Sequence, residues 1–346
     1  MCALVRCGAL AAACLALAPS HGHAQCRTWT PGFAEPGSNL FTILHGSIAG
    51  SDVDGTPQLY VAGGAFQGQP LRTSRIDRWD GRDWHTAFEP PLGPTLVTSF
   101  CYGLTALDDA GVPELWAVEL RTGIEHVLWR GRAGTWTAIG HFDDRVVALG
   151  RFDLGGGPEL YAGGDFANVD GVAAFHVAKW NGSAWTSVGF GLPEPVGAFA
   201  LYDAGTGPRV YAGEIGPDPN LVSLWLWDGA SWSIEPSGLQ RSVEALRVCD
   251  FGSGPELWAG GRLKNPGLGV EYLARKRGAT WTGIGALDGT VHDLELVDFG
   301  AGPRLVIGGQ FFHDGATTVA RTLQWDGSAL APLADGVDGE VLTLAH

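Results

Sequence analysis

The residues best spaced for chemistry are aspartates in four near-identical turns: Asp153-Leu-Gly-Gly-Gly-Pro, Asp203-Ala-Gly-Thr-Gly-Pro, Asp250-Phe-Gly-Ser-Gly-Pro and Asp298-Phe-Gly-Ala-Gly-Pro. Repeated acidic turns suggest calcium, a hard cation that takes about six to eight oxygens, several of them from carboxylates. Each turn offers one Asp, and only Asp52-Val-Asp54-Gly comes nearer to a ligand set. The favoured reading is local: an Asp side chain that accepts the amide hydrogens of its own turn. His45, His85, His126, His141, His176, His292 and His313 are scattered with no i,i+4 pair. There is no GxSxG elbow, no HExxH and no Cys/His cluster with zinc spacing. The glycines at 155–157 precede no helix and so make no phosphate cradle. No metal or cofactor is expected, and catalysis is not the favoured reading. A site assembled from distant segments would leave no local motif.

Charge narrows the partners. Lys and Arg total 22 against 37 Asp and Glu, a formal net charge of -15. Nucleic acid is recognised by neutralising phosphates with Lys and Arg, so it is not an expected partner. The acidity suits solubility instead.

Residues 1–24 read as a signal peptide. Arg6 supplies the positive start, residues 7–18 the short apolar stretch, and Gly22-His23-Ala24 the small residues before cleavage. Twelve apolar residues are too few to span a bilayer, and no other stretch is long enough. The expected product is secreted, periplasmic or at the cell surface, without membrane insertion. Cys26, Cys101 and Cys249 remain after cleavage, an odd number, and Cys101 and Cys249 read as small buried apolar residues.

The elements that position these residues repeat. "TPQLYVAGGAF" at Pro57, "VPELWAVEL" at Pro113, "GPELYAGGDF" at Pro158, "GPRVYAGEI" at Pro208, "GPELWAGGRL" at Pro255 and "GPRLVIGGQF" at Pro303 are copies spaced 56, 45, 50, 47 and 48 residues apart. Such a period points to propeller blades. The copy at 146–189 reads as strand a (146–153), a tight turn, strand b (159–166), a longer loop, strand c (176–180), an Asn-Gly hairpin and strand d (184–189). Strand b is apolar on both sides, as in a sheet covered on both faces. The hairpins "WDGRDW", "WNGSAW", "WDGASW" and "WDGSAL" supply Trp for packing between blades.

The order "LYAGGDF…VAKWNGSAW" resembles kelch-type propellers, and the chain is also similar to secreted Gly-rich bacterial propellers and to cortical polarity-marker propellers. The resemblance implies an all-β propeller over about 26–346 and leaves function open. Val118-Glu119 and Gly213-Glu214 depart from its Gly-Gly.

The expected architecture is a β-propeller of four-stranded antiparallel blades in one domain, 25–346. Six full blades (42–88, 97–140, 146–189, 196–236, 243–285, 291–334) are joined by a partial closing blade made of strands 26–33 and 340–345. Its b and c strands are absent from the reading, and six-bladed closure is the alternative. The b–c and d–a loops share the face with divergent sequence. Function tends to sit on variable loops held by a rigid scaffold. Candidate ligand contacts there are Arg72, Arg75, Arg121, Glu125, Asp218, Lys264, Glu271, His313 and Asp314. The expected function is binding or scaffolding, by a monomer, of a protein or glycan ligand. The alternative is a propeller hydrolase or lyase acting on extracellular polysaccharide. A multi-blade carboxylate or His cluster on that face would favour the enzyme; exposed aromatics or mixed charge would favour binding.

Overall fold

The computed structural model describes residues 3–7, 12–15, 40–41, 48–51, 58–65, 74–79, 84–89, 100–109, 112–121, 125–216, 224–236 and 238–345. Among them the only helical element is a short 3-10 turn, Pro266–Leu268.

Six four-stranded antiparallel sheets form the blades of a propeller ring. Blade 1 holds strands 1a (Ile48–Ser51), 1b (Gln58–Ala65), 1c (Ser74–Trp79) and 1d (Trp84–Phe88). Blade 2 holds 2a (Phe100–Asp109), 2b (Val112–Leu120), 2c (His126–Arg132) and 2d (Thr135–Phe142). Blade 3 holds 3a (Val146–Asp153), 3b (Pro158–Gly164), 3c (Val177–Trp180) and 3d (Trp185–Ser187). Blade 4 holds 4a (Val196–Asp203), 4b (Pro208–Glu214), 4c (Leu224–Trp227) and 4d (Trp232–Ile234). Blade 5 holds 5a (Val243–Asp250), 5b (Pro255–Asn265), 5c (Val270–Arg277) and 5d (Thr280–Gly283). Blade 6 holds 6a (Val291–Asp298), 6b (Pro303–Gly309), 6c (Thr322–Trp325) and 6d (Leu330–Pro332).

Strands 3a to 6a begin at the valines read from sequence. Strand 2a is described from Phe100 and 1a from Ile48, with Leu40–Phe41 also paired to 1b; the starts read at 42 and 97 lie outside the described residues. The inner strands touch in order, and Val341–Ala345 stands between 6a and 1a. The b and c positions beside it, absent from the sequence reading, are filled by Ala3–Cys7 and Ala12–Leu15, which pair outward from it. The outer strand read at 26–33, with Cys26, lies outside the described residues.

The b strands explain the repeated lettering. Leu160, Tyr161, Ala162 and Gly163 are all buried, as a sheet covered on both faces requires. A Cβ on Gly164 would lie 1.9 Å from the Arg145 carbonyl oxygen, and one on Gly309 would lie 2.1 Å from that of Thr290. The second glycine therefore lets the inner strand's entry cross the b strand. Cys101 and Cys249 are buried, and burial pushes the Cys249 thiol up to about 12.

The aspartate turns are caps. Asp153 Oδ1 accepts from Gly155 N at 2.7 Å and Gly157 N at 3.0 Å. Asp203, Asp250 and Asp298 repeat the pair within 3.1 Å. The hairpin turns use the same device through Asn181, Asp228 and Asp326. Both turn types lie on the uniform face, where short acidic side chains serve their own backbone.

Candidate functional site: the divergent loop face

The opposite face is built from paired loops. In blade 3 the b–c loop folds into a small hairpin, Asn168–Val169 against Val172–Ala173, and adds to strand 2d through Val169 and Phe142. Asp143 of the preceding d–a loop holds it, accepting from Ala167 N and Asn168 N at 2.9 Å each and from Asn168 Nδ2 at 2.7 Å. Blade 6 repeats this: Asp288 accepts from Phe312 N at 2.7 Å, His313 N at 2.9 Å and His313 Nδ1 at 2.8 Å. Burial works to raise both carboxyls, but the hydrogen bonds prevail. Asp143 is held low, and Asp288 falls to about 2.

The two loops share one backbone. Phe175 and His176 have φ 41° and 73°; Ala320 and Arg321 have 43° and 70°. Each pair is followed by a return contact from the next d–a loop. Leu192 N donates to the Phe175 carbonyl at 3.0 Å, and Val337 N to that of Ala320 at 2.8 Å. A Cβ on Gly191 would lie 2.6 Å from Phe175 Cβ, so the loop that carries residue 190 packs against Phe175 at Gly191. Left-handed φ at non-glycine residues is costly and persists where surroundings enforce it, here identically in both blades.

The side chains differ. Blade 3 carries Phe175, 53% exposed, and Phe190, 76% exposed, where blade 6 carries Ala320 and Asp335. Blade 6 exposes Phe312, at 42%, where blade 3 has Ala167. With Leu268 of the 5b–5c turn, this face holds four of the six exposed large apolar residues among the described ones.

The residues chosen from sequence do not converge. Arg121 Nε donates to buried Glu119 at 3.2 Å, and its guanidinium lies 5.9 Å from the Trp129 ring. Glu125 pairs with His141 at 2.7 Å. Lys264 and Glu271 are not loop residues but a cross-strand pair where 5b and 5c extend outward. His313 is held by Asp288, and Asp314 accepts from Ala286 N at 2.6 Å. Arg75 lies within strand 1c, opposite Gly63, because that strand starts at Ser74. Arg72 and Asp218 lie outside the described residues. Sequence reasoning favoured charge on these loops and missed Phe175 and Phe190. Aligning blade 3 with blade 6 without gaps would have found them.

A multi-blade cluster does exist where the channel meets this face. His292 of 6a holds Glu244 of 5a on Nδ1 and Glu340 on Nε2, each at 2.6 Å. Burial pulls its pKa down, but the two carboxylates outweigh that and hold it raised. Both ring nitrogens are engaged and the side chain is 8% exposed, so no nitrogen is open to a substrate. General acid–base work needs a group within reach of the proton it moves.

No protein-family model matches this chain, and no curated protein matches it. Among solved structures it is similar to a chain of the mitotic checkpoint complex, at 12% identity and TM-score 0.52, over 94% of this chain and 92% of that one. The extracellular domain of a putative one component system from B. thetaiotaomicron is similar at 12% identity and TM-score 0.51, over 88% of this chain and 36% of that one. A lectin from Aleuria aurantia aligns at 13% identity and TM-score 0.41, over 82% and 93%. At these identities the first two likenesses show the fold alone, a β-propeller, here with six four-stranded blades and the seam strand Val341–Ala345 between 6a and 1a.

Proposed function

We propose that the chain is an exported, non-catalytic binding propeller, kelch-like in its repeats, whose protein or glycan ligand sits on the divergent loop face at Phe175 and Phe190. The observation that carries this is the contrast between blades 3 and 6. One backbone, stapled by equivalent aspartates, tolerates Ala320 and Asp335 in blade 6 and bears two exposed phenylalanines in blade 3. The fold does not need those rings. Adjacent exposed apolar side chains on a rigid loop mark an interaction site, whereas single scattered ones do not. Residues 1–24 support export, and the net charge of -15 argues against nucleic acid. The Glu244–His292–Glu340 cluster is what favours a hydrolase or lyase, but its saturated geometry fits a structural tie better.

The internal control provides the experiment. A photo-crosslinking residue at 190 should give ligand adducts in the native extracellular milieu, and one at 335 should not. Phe175→Ala with Phe190→Asp, which copies blade 6, should abolish both the adducts and any binding on a glycan panel. Equal labelling at 190 and 335, or release of reducing ends from polysaccharides by the purified protein, would reject the proposal.

A further inference from the structure

A second site lies between blades 1 and 2, near the uniform face. In four of the six blades one c-strand position carries a Trp: Trp79, Trp180, Trp227 and Trp325, opposite Leu59, Leu160, Val210 and Leu305. Blade 5 has Lys276 there, whose Nζ donates to buried Glu235 at 2.6 Å. Blade 2 has Gly131, opposite Leu115. Its φ is outside the left-handed region, so the backbone does not demand glycine.

The missing side chain leaves space that Trp136 of strand 2d partly takes. Trp136 leans over Gly131, so close that a Cβ there would lie 2.8 Å from its ring, and stacks on Phe88 at 4.5 Å. A cleft of about 150 Å³ remains, with Tyr60 and Arg78 on the blade 1 side and Leu115, Gly131 and Trp136 on the blade 2 side. A volume of about 150 Å³ is enough for one benzene-sized ring, and here the cleft is open, with Tyr60, Arg78 and Thr86 in its lining beside Leu115 and Trp136.

The junction of blades 5 and 6 indicates what belongs there. Arg275 pairs with Trp258 across the strands as Arg78 pairs with Tyr60. Arg275 sits 5.2 Å from the Trp325 ring, and Trp258 meets that ring at 5.3 Å. A guanidinium over an indole face is a favourable cation–π contact. Blade 1 thus offers an aromatic and an arginine in the same relation, facing Gly131 and the Trp136 ring where blade 6 has Trp325. We infer that the cleft at Gly131 binds an aromatic ring from outside the fold, an indole or a phenyl, between Trp136, Tyr60 and the Arg78 guanidinium. The ring would belong either to a free aryl compound or to an aromatic side chain of a polypeptide.

The test is titration calorimetry with indole, N-acetyltryptophanamide, cyclohexanol and methyl glucoside. Saturable indole binding is expected, at least tenfold tighter than cyclohexanol. Binding of the amide as well identifies a side-chain site; indole alone identifies a small-molecule site. Gly131→Trp should weaken indole at least tenfold, because the new side chain must displace Trp136 and fill the cleft. Arg78→Gln should weaken indole several-fold and answers the question if Gly131→Trp does not fold. Absence of saturable indole binding, indole binding unchanged in these variants, or preference for methyl glucoside would overturn the inference. Loss of the Phe175/Phe190 proposal would leave it standing, since the sites share no residue.

Discussion

Two buried glutamates show how single residues adjust the repeat. Glu119 and Glu214 stand where other blades have the second glycine. In the same two blades, c-strand Trp129 and Trp225 stand where blades 3 and 5 have Ala178 and Ala274. Trp129 Nε1 donates to Glu119 at 2.9 Å. Trp225 holds the equivalent place beside Glu214 without closing the bond, and the Glu194 amide donates to Glu214 at 3.1 Å instead. Burial dominates there and pushes the Glu214 carboxyl up to about 7. A raised carboxyl contributes stability that is intact below its ordinary value of 4.5 and lost as pH rises through about 7. Glu214→Gln keeps an acceptor for the Glu194 amide and removes the charge. It should melt like the parent at pH 4.5 and higher at pH 8.5, the gain being at most roughly 3 kcal/mol. An unchanged difference across that range in calorimetry would show that Glu214 is ionised throughout. Both glutamates were visible in the sequence as departures from Gly-Gly. Their partners were not, because the pairing needs the register of strands b and c.

At the scale of the element, a blade is held by backbone approach on one face and by side-chain caps on the other. Gly164→Ala must displace the Arg145 carbonyl, at 1.9 Å from the new Cβ, and should cost several kcal/mol. Gly156, in the turn capped by Asp153, has open space around it and no left-handed φ. Gly156→Ala should change stability by less than about 1 kcal/mol, the range of ordinary glycine-to-alanine effects. Urea unfolding of the pair checks this; similar losses would mean that the crossing at Gly164 relaxes freely. Asp250→Ala, which leaves the Gly252 and Gly254 amides without their acceptor, should cost about 1 kcal/mol. These turns were legible because an Asp cap is a local device, complete within six residues. The loop face was not. Lys264 and Glu271 looked like loop charges because nothing in their sequence reveals the outward extension of 5b and 5c. Phe175 carried no signal of its own, because a phenylalanine's exposure is decided by the neighbouring d–a loop.

For the whole molecule the critical place is the seam, where Val341–Ala345 closes the ring between 6a and 1a. Apolar packing there involves Val341 and Leu344 with Val297, Val306, Leu333 and Val337. Two polar ties add to it. Asp293 stands where strands 3a, 4a and 5a have Ala148, Ala198 and Ala245. Its Oδ2 accepts from Leu344 N at 2.7 Å and Thr343 Oγ1 at 3.1 Å. Desolvation lifts Asp293 to about 6, although part of its surface remains accessible, with Glu295 adding to the rise. His292 links Glu244 to Glu340 while it carries both ring protons, with Arg262 4.0 Å from Glu244 on the far side. Neutral His292 keeps one N–H and turns a lone pair toward a carboxylate. Both pKa values are raised, so both contributions act in one direction. The aspartate's is lost as pH rises from its ordinary 3.8 through about 6, and the histidine's as pH passes its raised value. The seam should therefore loosen between pH 5 and pH 8. In the chain from Gln25 onward, which lacks Ala3–Cys7, hydrogen exchange corrected for intrinsic rates should show Val341–Ala345 less protected than Val146–Asp153 at both pH values. The gap should widen severalfold at pH 8. His292→Gln with Asp293→Asn should flatten that pH dependence and leave blade 3 unaffected. A gap that is constant in the parent, or that widens equally in the double variant, would mean that apolar packing alone holds the ring closed.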